Sequence, residues 1–106
     1  QEEAGVHRQT LADGTLGAVS LTVLEVTVAP GSRIPMHIHP GHEECIVILE
    51  GALEWQLGDD KGTVAAGSTI IAPKGVKHTL VNATHSPARL MAIFPTTSMQ
   101  RTLAEP

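Results

Sequence analysis

The chain has 106 residues, 42% of them hydrophobic and 17% charged, with a formal net charge of −4. That length suits one domain with a single core, and an acidic balance without a basic run argues against nucleic acid as a partner. Trp55 and Phe94 are the only aromatic residues, which leaves no stacking platform for bases, and no apolar stretch approaches the ~20 residues of a membrane span.

Taken in order, the chain reads as strand after strand. Residues 17–29 are rich in β-branched residues and leucine and stop at Pro30-Gly31, which predicts a long first strand. The next extended segment carries His37 and His39, which at i and i+2 share one face. Residues 45–49 form a continuous apolar run, as in a strand buried on both sides. Leu53, Trp55 and Leu57 then alternate with Ala52, Glu54 and Gln56, giving one apolar face. Residues 58–62 read as a hairpin loop into a strand over 63–65. Further strands are predicted at 68–72, 78–82 and 89–94. No window has a helical period, and there is no internal repeat. The pattern implies an antiparallel sandwich or barrel. Its core would span about residues 16–95, with an N-terminal arm before it. The tail after residue 95 carries Met99 and Leu103, which would pack on a neighbouring molecule or fray.

Chemistry concentrates in His37, His39, Glu44 and His78. Imidazole and carboxylate suit Fe, Mn, Ni, Cu or Zn, so the four predict one divalent transition metal per chain. An isolated His-x-His on a strand is more often surface decoration or a satisfied core pair, and it is the conjunction with Glu44 and His78 that turns the reading toward a metal. Glu43 is the rival carboxylate. Parity places Glu44 on the face of Ile46 and Ile48, and turns Glu43 outward or into support of a histidine. His42 reads as a loop residue near the site, and His7 and His85 as solvent-exposed. Cys45, the one cysteine, is expected to face the core as a small hydrophobe. It cannot form an internal disulfide, so no oxidising compartment is indicated. The start at Gln1 is compatible with signal-peptide removal or with trimming, and a cytoplasmic location is slightly favoured over export.

The spacing carries a resemblance. Gly31, five residues, His37-x-His39, four residues, Glu44, six residues and Gly51 form one block; Gly67, five residues, Pro73-x-Gly75, two residues, His78, three residues and Asn82 form the other. These blocks resemble the two motifs of the cupin superfamily, with every defining position filled. The resemblance implies an all-β, antiparallel double-stranded β-helix, the jelly-roll barrel of a small single-domain cupin over residues 1–106. Three histidines and one glutamate are similar to the ligand set of germins, oxalate decarboxylases and quercetin dioxygenases. Gly31, Gly51, Gly67 and Gly75 are then turn residues, and Pro73 shapes the turn that delivers His78.

With that fold, parity predicts a dry pocket of Ile46, Ile48, Trp55, Leu57, Leu80 and Met91 around the ion. The chain has no tyrosine, which removes mechanisms using a tyrosine acid or base, as in cupin-type dimethylsulfoniopropionate lyases and sugar-nucleotide epimerases. Arg33 shares parity with His37 and would reach an anionic substrate, but Pro35 between them can turn it to solvent. Arg89 and Lys77 are weaker candidates for that role. Three function classes follow. A mononuclear-metal dioxygenase or related oxidoreductase acting on a small organic molecule is favoured. Next is a non-redox isomerase, lyase or decarboxylase, in which Glu43 or His42 moves protons. A metal-bound sensing module without turnover is the third, although nothing resembles a fused DNA-binding helix-turn-helix. Open sheet edges predict a homodimer, with the strand over residues 17–29 pairing across a two-fold axis.

Overall fold

The computed structural model describes residues 3–105. Strand patterning dominates because β-branched and leucine residues alternate with polar ones, and glycines or prolines punctuate each run. Ten strands result: β1 (Val6–Ala12), β2 (Thr22–Val28), β3 (Arg33–Ile38), β4 (Glu44–Glu50), β5 (Ala52–Leu57), β6 (Asp60–Ala65), β7 (Thr69–Ala72), β8 (His78–Val81), β9 (Ala88–Phe94) and β10 (Thr102–Leu103). One 3-10 turn, Gly14–Leu16, is capped by the Asp13 carboxylate. The strands make two five-stranded antiparallel sheets, β1-β2-β9-β4-β7 and β10-β3-β8-β5-β6, the double-stranded β-helix that the motifs implied. Among the described residues no helix is long and apolar enough to cross a membrane.

The space between the sheets is the core. Leu24, Val26 and Val28 of β2, Ile46 and Ile48 of β4, and Leu90, Ala92 and Phe94 of β9 face Ile34, Leu53 and Leu80 of the opposite sheet. Each of these large side chains contributes roughly 1.5–3 kcal/mol by leaving water. Gly51 allows the tight β4–β5 hairpin: its φ is 81°, and a Cβ there would lie 2.7 Å from the Pro87 carbonyl oxygen. Asn82 staples the β8–β9 turn. Fully buried, it donates to the Val28 and Ser86 carbonyls at 2.9 and 2.8 Å, and its Oδ1 accepts from the Thr84 amide and hydroxyl.

Five expectations are corrected by the fold. The N-terminal arm is an edge strand, since β1 pairs with β2. That pairing places β2 between β1 and β9, so its backbone groups are spent within the sheet and none is left for a two-fold partner. The tail after residue 95 folds back, adding β10 to the edge of β3. The β5–β6 loop is a Gly58-Asp59 turn, shorter than residues 58–62, because Asp60 already pairs with Leu57. Cys45 also differs from expectation: strand alternation puts Glu44 inside and Cys45, half-buried, on the outer face beside Ile71 and Ile93.

Candidate metal centre

The two motifs deliver their ligands to one end of the core. His37 lies on β3 after a register shift between Ile34 and His37, where Pro35 interrupts the pairing with β8. His39 follows β3 directly, Glu44 opens β4 and His78 opens β8, opposite His37. The second motif's turn is tied to the first, because the Gly75 amide, at a φ of 77°, donates to the His39 carbonyl at 3.0 Å. All four side chains are buried, and one ligand atom from each lies within 4.8 Å of the others. These are the four residues expected from the spacing.

Hydrogen bonds on the far side of each ring set its tautomer. Nδ1 of His37 lies 2.7 Å from the Pro35 carbonyl, that of His39 2.6 Å from the Gln100 carbonyl, and that of His78 3.0 Å from the Val76 carbonyl. A carbonyl oxygen only accepts, so each Nδ1 carries a proton and Nε2 is the nitrogen left to face the site, with a proton in the metal-free protein or a lone pair toward a metal. Nε2 of His39 and of His78 then sit 3.1 and 3.0 Å from Oε1 of Glu44. Acceptor facing acceptor at that distance requires a proton or a cation among them. Buried imidazoles with backbone-anchored Nδ1–H and a carboxylate form a donor set that fits a divalent transition ion.

The electrostatics agree. Burial is the main influence on His37 and lowers its pKa to about 4; the Pro35 hydrogen bond opposes this, and the charges of His78 and His39 add to it. His37 is therefore neutral near pH 7, the form a metal ligand needs. Burial works to raise the Glu44 pKa, but without a metal the hydrogen bonds from Nε2–H of His39 and His78, and their coulombic attraction, outweigh it and hold the carboxyl at about 2.

The other expected residues separate. His42 is buried and stacked on His39, with ring centroids 5.0 Å apart and planes at 27°. Its Nδ1 faces the Glu43 carbonyl at 3.1 Å, while Nε2 accepts the Gln100 amide at 3.1 Å, so it is a neutral supporting ring. Glu43 is exposed on the outer face. Arg33 points away from the site, paired with Glu105, because the break at Pro35 reverses its side. Arg89 pairs with Glu25 and Glu50, and Lys77 lies near Asp59; neither reaches the centre.

A cavity of about 120 Å³ opens beside the ligands. Ile46 and Leu80 line it as expected, but the rest of its apolar wall comes from Leu24, Val26, Ile34, Leu90, Ala92 and Phe94. Ile48 lies deeper in the core, and Leu57 packs against that core without reaching the cavity. The Trp55 indole lies over Gly62, filling the space a side chain there would need. Met91 is on the outer side of β9, whose inward residues are Leu90, Ala92 and Phe94. Sequence reasoning missed Arg8, Met99 and Arg101, which stand at the cavity rim. The one available signal was Val6 and Arg8 sharing a strand face, and the supposed arm concealed it.

Comparison with known proteins follows the same lines. The family model described as "Cupin domain" matches residues 24–94. Protein SchB of Streptomyces halstedii is 34% identical over 91 residues, which are 86% of this chain and 66% of that protein. The chain spans 66% or less of the length of the curated relatives it matches, down to 39%. Among solved structures, the polyketide cyclase RemF from Streptomyces resistomycificus superposes with a TM-score of 0.86 at 24% identity, covering 97% of this chain and 73% of that one. Oxalate oxidase in complex with the substrate analogue glycolate gives 0.83 at 22% identity, over 94% of this chain and 55% of that one.

Proposed function

This chain belongs to the cupin domain family, and from that premise we propose that it is a metalloprotein domain whose His37, His39, Glu44 and His78 hold one divalent transition ion and act on a small organic molecule, as an oxidoreductase of the dioxygenase kind. The observation that carries the reading is the convergence of three Nδ1-anchored imidazoles and a buried carboxylate on one point. When bound, such an ion supplies Lewis acidity and, if redox-active, electron exchange with dioxygen. The chain's own part is to orient those side chains, exclude bulk water through the apolar wall, and leave space for a ligand in the adjoining cavity. Among the described residues lining that cavity, none but the ligands themselves offers a carboxylate or imidazole as a proton acceptor. This favours chemistry at the ion over proton shuttling by side chains.

A second reading, non-redox chemistry on a polyketide, draws support from the relatives named polyketide synthase CurC and tetracenomycin polyketide synthase protein TcmJ. Two features weigh against it: a cavity of about 120 Å³ is small for a polycyclic substrate, and His42, the nearest spare imidazole, has both ring nitrogens engaged. The reading includes a homodimer. Its contact would fall to an edge strand or to the exposed Leu21 and Ile71, since β2 is internal, and sedimentation equilibrium measures the mass directly. The deciding experiment is metal analysis of natively purified protein, with oxygen uptake after anaerobic reconstitution with Fe(II), Mn(II), Ni(II) or Cu(II). One redox-active ion per chain with substrate-dependent uptake is expected; zinc alone and no uptake with any ion would overturn the oxidoreductase assignment.

A further inference from the structure

At the rim of the metal cavity, Arg8 from β1 and Arg101 from the segment before β10 approach from opposite sheets. Between them lies a carboxylate of the chain itself. Arg8 Nη2 is 2.8 Å from Oε1 of Glu3, and Arg101 Nη2 is 3.2 Å from its Oε2. The three side chains are about four-fifths buried, at 22%, 19% and 20% exposure for Arg8, Arg101 and Glu3. Their hydrogen bonding among the described residues is incomplete: Arg8 Nη1 and Arg101 Nε are buried with no acceptor there, and Glu3 Oε1 is in ion-pair contact without hydrogen-bond alignment. Two guanidiniums thus share one carboxylate and retain unused donors, which is costly in a buried setting.

Resting on the metal-centre reading, we propose that Arg8 and Arg101 are an anion-binding subsite for a small carboxylate substrate, which takes the place of Glu3 between them. The guanidinium fork matches a carboxylate with two parallel hydrogen bonds, so a carboxylate entering here satisfies donors that Glu3 leaves open. A neutral ligand would leave both arginines short of partners. The remaining wall of Leu24, Val26, Leu90, Ala92 and Phe94 accommodates a short aliphatic stem. The cavity of about 120 Å³ corresponds to on the order of ten water-sized spheres, the scale of a small organic acid. Glu3 can withdraw without dismantling a sheet, because it precedes β1 and meets it only through an isolated bridge to Val6. It is a tethered competitor for the substrate's own position.

Calorimetric titration with succinate and its neutral counterpart succinamide, on Zn(II)-loaded and on metal-free protein, tests the subsite. Succinate is expected to bind in both forms and succinamide in neither. Glu3→Gln should tighten succinate about tenfold, and Arg8→Gln and Arg101→Gln should each weaken it about tenfold, with metal content unchanged throughout. Should either glutamine variant melt early, Arg8→Lys and Arg101→Lys keep the charge without the fork and should lose about threefold. Equal affinity for the two ligands, a Glu3→Gln protein no tighter than the parent, or arginine variants that bind as the parent does would overturn the subsite. Failure of the parent to take up metal would overturn the metal-centre reading instead, while the metal-free titrations still decide the subsite.

Discussion

The Gln100 carbonyl lies 2.6 Å from Nδ1 of His39, so the orientation of one ligand ring is set from 61 positions further along the chain. The same residue's amide donates to His42, whose ring stacks on His39. One backbone position beyond β9 therefore steadies two adjacent imidazoles.

Removing residues 98–106 tests that strap. The deletion takes away the carbonyl that fixes His39 while leaving the Pro35 and Val76 anchors of His37 and His78 in place. Metal affinity is expected to fall about 10–100-fold, as for other losses of a ligand's hydrogen-bond partner. Competition against a chromophoric chelator measures it, and an unchanged constant would show the strap to be dispensable.

Replacing the ligands separates the two neighbouring carboxylates. His37→Ala and His78→Ala should abolish stoichiometric metal. With it goes the stabilisation a bound ion provides, ~2.7 kcal/mol at a hundredfold excess over Kd, or about 10–20 °C in Tm for a domain of this size. Glu44→Gln should behave similarly, whereas Glu43→Gln should keep one ion per chain because that side chain is exposed on the outer face. Equal losses from the two glutamates would contradict the assignment.

Acid should destabilise the metal-free protein in two stages. His37 has its pKa lowered by burial from 6.5 to about 4, so between those values the unfolded chain binds more protons and stability rises with pH. Its contribution is complete above pH 6.5 and disappears as pH falls toward 4, with a slope of up to about 1.4 kcal/mol per pH unit. Glu44, held at about 2 against a usual 4.5, extends the decline below pH 4.5. Urea melts across this range should show the upper stage vanish in His37→Asn; an unaltered slope would assign it elsewhere.

Asn82→Ala should cost about 2–4 kcal/mol, because it deletes two donated and two accepted hydrogen bonds at a fully buried position. The folded fraction should still take up one metal ion. A loss smaller than 1 kcal/mol in denaturant unfolding would mean the 82–86 turn is held by something other than this amide.

The fold and the cluster of three histidines and a glutamate were legible in the sequence for the same reason: both rest on local spacing. Alternation in residues 22–28 and 44–50, with turns at Gly51 and Gly75, determines which side chains enter the core, and the two motifs bring His37, His39, Glu44 and His78 with them. Alternation fails where both faces of a strand are apolar. Met91 and Ile93 on the outer side of β9 look like core as readily as Leu90 and Ala92 do, and Cys45 suffers the same ambiguity beside Ile71 and Ile93. Arg8, Arg101 and the Gln100 carbonyl escaped detection for a different reason. They reach the site through β1, β10 and the turn before it, segments with no motif and with partners far away in sequence.

His37 and His78 share a device that His39 lacks: each gives its Nδ1–H to the carbonyl two residues earlier, Pro35 and Val76. The protonation form of these two rings travels with a three-residue segment. Grafted onto facing positions of another antiparallel strand pair, 35–37 and 76–78 should arrive already poised to present Nε2. His39 would come without its tether, and a designer would have to supply a new acceptor for it. Within this protein the same asymmetry makes the 98–101 region a dial for ion affinity, one that sequence drift can turn without altering any ligand.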